Sequence, residues 1–264
     1  MLPVPLRVEP DAEFDECALL CVDGTVAGAP HSFVLDTGSP STQLADPDGL
    51  VPANLVGQDT AEGLFGRAPV ERVALPDLTV PGLTAGPRTV ARLRTGGARS
   101  RSLLGLDVLG AHGLLLDGPA ASLHATAPED LAPDLPLERG PRGHCYLPVT
   151  LPGGRVVRAL WDTGADVTVV DRGLVASHQQ LFTAPGSARG TDSSGTTVAT
   201  DVCRMGDYRI AEVPFAGHVV AVADLPEPMA MVLGYPTLCQ AIWAMDLPSG
   251  RWAVSGDAPP GSRR

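Results

Sequence analysis

Two short segments of this chain could do chemistry together. Phe33-Val34-Leu35-Asp36-Thr37-Gly38-Ser39 and Ala159-Leu160-Trp161-Asp162-Thr163-Gly164-Ala165 each run an apolar strand straight into Asp-Thr-Gly. One such tripeptide means little, because Asp and Gly are turn residues that commonly end strands. Two in the same apolar setting point to paired carboxyls. A carboxyl at a strand end reaches the surface of its lobe while the strand stays in the core. The adjacent Gly lets backbone N–H groups approach the carboxyl in a tight turn. The Thr hydroxyl can turn inward and bond the backbone of the partner loop. Two carboxyls brought face to face cannot both ionise, so they share a proton. The ionised one can take a proton from a lodged water while the other donates to a carbonyl oxygen. That is general acid–base hydrolysis without a covalent intermediate. The loops differ at one place, Ser39 against Ala165. A Ser39 hydroxyl donating to Asp36 would favour the charged form there and leave the proton on Asp162.

The elements that must position these loops repeat with them. Leu103-Leu104-Gly105 ends 69 residues after Asp36, and Val232-Leu233-Gly234 ends 72 after Asp162. From Gly105 to Asp117 and from Gly234 to Asp246 the halves align without a gap. Upstream, Cys17 and Cys145 open matching apolar runs. The chain therefore reads as two copies of one unit, a lobe over 1–127 and a lobe over 143–256. A Pro-rich, charged linker over 128–142 joins them, and a tail follows over 257–264. Each copy reads as β-rich: a hairpin over 16–22 and 30–35 turning at Asp23-Gly24, and another over 144–151 and 155–161 turning at Pro152-Gly153-Gly154. Val167 to Val170 reads as a strand, and short helices are expected at 105–111, 171–179 and 234–241. Asp107 and Asp117 read as a helix-turn polar group and a strand-end residue, and Trp161, Trp243 and Trp252 as core.

On these motifs the chain resembles the retropepsin-like aspartic proteases, in a single-chain, two-lobed form of a bacterial kind. The shared proton is the established behaviour of that family's dyad. The resemblance implies an all-β, bilobal acid-protease fold of two tandem β-barrel-like lobes with a few short helices. It implies an aspartic endopeptidase with Asp36 and Asp162 catalytic, and with Thr37, Gly38, Ser39, Thr163, Gly164 and Ala165 supporting the loops. It also implies a flap hairpin in each lobe, for which Gly57 to Ala68 and Gly186 to Val198 are the candidates. Gly63, Phe65, Gly66, Asp192 and Gly195 are then candidate flap or substrate residues. Pepsin-like enzymes are longer and carry an aromatic flap residue, a part that only Phe65 could play here. Thr191 to Gly195 reads equally well as an ordinary hairpin turn.

Composition narrows the alternatives. Hydrophobic residues are 44% of 264, enough for a sizeable core, and 30 Gly with 26 Pro favour short elements joined by turns. All 19 basic residues are Arg, which removes Schiff-base and P-loop lysines from consideration. A net charge of −11 without a basic stripe argues against a nucleic-acid partner. Five Cys without C-x-x-C spacing and six scattered His suggest neither a disulfide scaffold nor a metal site. No cofactor is implied. No subtilisin-type histidine or serine context and no Gly-x-Ser-x-Gly elbow occurs. The start lacks a signal-peptide core and no stretch would span a bilayer, so a cytoplasmic protein without membrane partner is expected. The substrate is expected to be a peptide or unfolded protein, bound by a monomer. The rival reading is a protease-shaped peptide-binding or scaffold protein without turnover.

Overall fold

The structure is a computed structural model, and it describes residues 4–46, 48–83, 85–94, 100–125 and 133–256. The tail 257–264 and the first part of the linker, 128–132, lie outside the described residues.

Each half builds one large sheet. In the first, the hairpin Ala18–Val26 and Ala29–Leu35 continues through Leu103–Leu104 to Gln43–Ala45, Arg88–Leu93, Arg67–Leu75 and Asn54–Glu62. In the second, Cys145–Thr150 and Val156–Trp161 continue through Met231–Leu233 to Thr168–Asp171, Val219–Ala223, Thr197–Met205 and Phe182–Thr191. The short motif strands run parallel to the strands that end in aspartate: Leu103 pairs with Val34 and Leu104 with Leu35, as Val232 pairs with Leu160 and Leu233 with Trp161. Parallel strands are covered on both faces and read as unbroken apolar runs. Accordingly Phe33, Val34, Leu35, Leu104, Trp161 and Leu233 are all buried.

A third sheet joins the halves. Its central strands, Gly113–Asp117 and Ile242–Asp246, are the repeat equivalents of one another and pair antiparallel, Gly113 with Asp246 and Asp117 with Ile242. That register is symmetric about the Leu115–Ala244 pair, which places the pseudo-twofold axis there. The segment read as a linker contributes to the fold. Leu135–Pro136 pairs with Arg251 and Trp252 in this third sheet, and Glu138–Arg139 pairs with Cys145 and Tyr146.

Most local expectations hold. Short helices occupy Leu106–Leu109, Arg172–Ser177 and Tyr235–Leu238. Asp171 caps the second by accepting the Gly173 and Leu174 N–H groups. Trp161, Trp243 and Trp252 lie in the core. The first hairpin turns elsewhere than expected. Asp23 and Gly24 pair in mid-strand with Ser32 and His31, and the turn is Ala27-Gly28, both at positive φ. Strand Leu78–Thr79 crosses so closely that a Cβ on Gly24 would overlap the Thr79 carbonyl. Gly24 is thus a close-approach glycine rather than a turn glycine.

Candidate active site

The two Asp-Thr-Gly loops meet at the interface between the halves. Each aspartate leaves its strand with its backbone held by the parallel motif strand: Asp36 N–H donates to Leu104 O at 3.0 Å and Asp162 N–H to Leu233 O at 3.2 Å. Behind each motif the same tie recurs. Gly105 N–H donates to the Thr42 hydroxyl and Gly234 N–H to the Thr168 hydroxyl, both at 3.2 Å. In the first half Asp107 Oδ1 accepts from Thr42 N–H and from its hydroxyl, both at 2.7 Å. In the second half Thr168 bonds Thr237, which bonds Tyr208 and His218 in a buried polar network. Asp107 is therefore a loop support, and Asp117 accepts a turn N–H from Ala120, as read.

The threonines lock the loops together. Thr37 N–H donates to Thr163 Oγ1 and Thr163 N–H to Thr37 Oγ1, each at 3.1 Å. The Thr37 hydroxyl also donates to Trp161 O at 2.9 Å. Both side chains are buried. In front of them each glycine faces the opposite carboxyl. A Cβ on Gly38 would overlap the Asp162 carboxylate, and one on Gly164 would overlap that of Asp36. So the two carboxyls lie across one another's loops, and only glycine fits between.

Burial raises the proton affinity of both carboxyls, and Asp36 is raised well above the usual carboxylate range. For Asp36 the second cause is the Asp162 charge. Asp162 is raised by burial but held back by N–H donors: its Oδ1 accepts from Gly164 at 2.9 Å and Gly38 at 3.1 Å. The two carboxyls therefore share one proton, with Asp36 raised the further. The donation from the Ser39 hydroxyl that the sequence suggested is not made. The Ser39 hydroxyl points away from the carboxyl and donates to Ser41 O at 2.8 Å, leaving only its backbone N–H to face Asp36.

The dyad lines a cavity of about 970 Å³ between the halves, and Gly38, Ser39, Gly164 and Ala165 line it too. Two long hairpins roof it. Asn54–Glu62 with Arg67–Leu75 is the first flap, and Phe182–Thr191 with Thr197–Met205 the second. Gly63, Phe65, Gly66 and Asp192 sit at the tips and line the cavity, whereas Gly195 serves the turn at φ 82°. Phe65 packs on an apolar floor in the second half made by Leu160, Val169, Ala221 and Val232.

Other lining residues carried no motif. Gln43 stands seven residues after Asp36, as Val169 stands seven after Asp162, so one wall presents an amide where the other presents an alkyl group. Asp11 and Asp166 lie by the second loop; Arg142 and His144 lie by the first. Burial holds the His144 imidazole below its ordinary value, and among the described residues its buried Nε2 has no hydrogen-bond partner. The signal for Asp11, Arg142 and His144 was the pair of runs before Cys17 and Cys145, acidic in one copy and richer in Arg and His in the other.

A bilobal β fold with two crossed Asp-Thr-Gly loops at its seam is that of the aspartic proteases. The aspartyl protease family model matches residues 22–108 and 147–237, and the chain belongs to that family. Among solved structures, basic 7S globulin from soybean is similar, with a TM-score of 0.56 and 10% identity over 97% of this chain and 96% of that one. At that identity the likeness concerns the fold alone. No curated protein matches the sequence.

Proposed function

We propose that this protein is an aspartic endopeptidase that hydrolyses peptide bonds in an extended peptide or unfolded protein held under the flaps. One observation carries the reading: each carboxyl of the pair, Asp36 buried and Asp162 half-buried, abuts the glycine of the other loop, at the base of a cavity wide enough for a peptide. A binding protein gains nothing from burying two acids together, which costs desolvation and repulsion.

In the proposed reaction ionised Asp162 accepts a proton from a water placed between the carboxyls. The hydroxide oxygen attacks the carbonyl carbon while Asp36 donates its proton to the carbonyl oxygen. The resulting gem-diol returns a proton to Asp36 as its C=O re-forms, and the nitrogen leaves with the proton held by Asp162. The pair is restored, and no covalent enzyme intermediate forms. Both carboxyls come from one chain, so a monomer suffices.

The test is digestion of a denatured protein across pH by the wild type, Asp36→Asn and Asp162→Asn. Cleavage by the wild type alone is expected. Cleavage that survives either substitution would exclude the mechanism. The seating of Phe65 on the cavity's apolar floor favours a second reading, a peptide-binding protein without turnover. That reading requires a wild type that binds a statine-type peptide and cuts nothing.

A further inference from the structure

The roof over the dyad is one interlocked unit, and a single carboxylate joins it. Asp192 stands at the tip of the second flap. Its Oδ1 serves its own turn, accepting from Ser194 N–H at 3.0 Å, the Ser194 hydroxyl at 2.6 Å and Thr196 N–H at 3.1 Å. Its Oδ2 reaches across to the first flap and accepts from Phe65 N–H at 2.6 Å and Gly66 N–H at 3.0 Å. Hydrogen bonds to an ionised acceptor are roughly twice as strong as neutral ones. The fit is tight, since a Cβ on Gly63 would overlap the Asp192 carboxylate and one on Gly66 the Thr196 hydroxyl. A second tie runs from the same turn down to the first lobe, where the buried Gln43 donates through Nε2 to Ser193 O at 3.0 Å.

The consequence for Phe65 is specific. Its N–H is clamped by Asp192 and its ring lies on the apolar floor of the second half. The clamp therefore sets where the ring sits relative to any side chain that enters that floor. The turn that holds the clamp is internally braced and leaves the carboxylate little freedom to turn away.

We propose that Asp192 is the positioning residue of this site: its carboxylate latches the two flaps together, so the roof parts at that contact to admit a peptide and re-forms over it. The latch rests on the proteolytic reading only for its consequence in turnover.

Hydrogen exchange of the full-length chain tests the latch directly. In the wild type the Phe65 and Gly66 amides are protected. In Asp192→Ala they exchange about tenfold faster or more, with Asp192→Asn intermediate, because an amide oxygen is a weaker acceptor. Gly63→Ala, which keeps the carboxylate but wedges the tips apart, has the same effect. The Val34 and Asp36 amides, bonded to Ser102 O and Leu104 O, stay protected in all three variants. In parallel, stopped-flow binding of a fluorescent statine-containing peptide shows association and dissociation both faster in Asp192→Ala and Gly63→Ala, with the equilibrium constant changing less than either rate. Unprotected Phe65 and Gly66 amides in the wild type, or equal exchange in wild type and Asp192→Ala, overturn the proposal. So do unchanged binding rates in a variant whose tips have come free. A wild type that neither cuts denatured protein nor binds the statine peptide removes the proteolytic reading, and exchange at Phe65 and Gly66 still decides the latch.

Discussion

Thr37 and Thr163 exchange hydrogen bonds reciprocally, the backbone N–H of each donating to the hydroxyl of the other at 3.1 Å. The two halves are thus tied at the point where the carboxyls must meet. The exchange is not fully symmetric, since Thr37 alone also donates to a buried carbonyl, that of Trp161. Thr37→Val leaves two buried backbone groups without their partner, and Thr163→Val leaves one. At about 1–3 kcal/mol for each orphaned group, Thr37→Val is expected to lower stability more than Thr163→Val. Urea unfolding of both variants measures the difference.

The dyad carries a stability penalty that depends on pH. Both carboxyls are raised in the folded state, so between the unfolded and folded values the folded chain binds more protons. Stability contributed by this pair is therefore lost as pH rises above the ordinary carboxylate range. Asp36→Asn is expected to abolish proteolysis and to raise the melting temperature at neutral pH, with the gain fading below about pH 4, where both states are protonated. Calorimetry of wild type and variant at several pH values checks the sign.

The pH–rate profile should place its alkaline limb above the ordinary carboxylate range, because the pair must keep one proton and burial raises both carboxyls. Ser39→Ala should leave both limbs where they are, since that hydroxyl is occupied by Ser41 O. A moved acidic limb in Ser39→Ala would show that the hydroxyl turns to Asp36 during turnover.

Gly38→Ala and Gly164→Ala should separate the loops, because each new methyl group meets the opposite carboxyl. Overpacking of this kind costs about 1–3 kcal/mol of stability. A shift approaching 1 Å at the reacting groups costs on the order of 100-fold in kcat. Steady-state kinetics beside urea unfolding separates the two effects.

Ala27 turns the first hairpin at φ 50°, a region that disfavours alanine. Ala27→Asn makes the turn Asn-Gly, the pair preferred where both central residues have positive φ. A gain of about 0.5–1 kcal/mol is expected, with activity unchanged. Thermal melts and the digestion assay test both halves of that statement.

The duplication, the paired aspartates and the apolar-apolar-Gly strands behind them were all legible in the residues. The reason is that each is a local pattern: an apolar run buried on both faces, a turn tripeptide, a repeated spacing. Three things were decided only by the fold. The Ser39 hydroxyl was expected to donate to Asp36, but it is taken by Ser41 O, a path of the loop that spacing along the chain does not set. The first turn was expected at Asp23-Gly24, but a crossing strand more than fifty residues on claims Gly24 for close packing. The latch joins Phe65 and Asp192, 127 residues apart. Contacts of that separation depend on through-space geometry that no local pattern encodes.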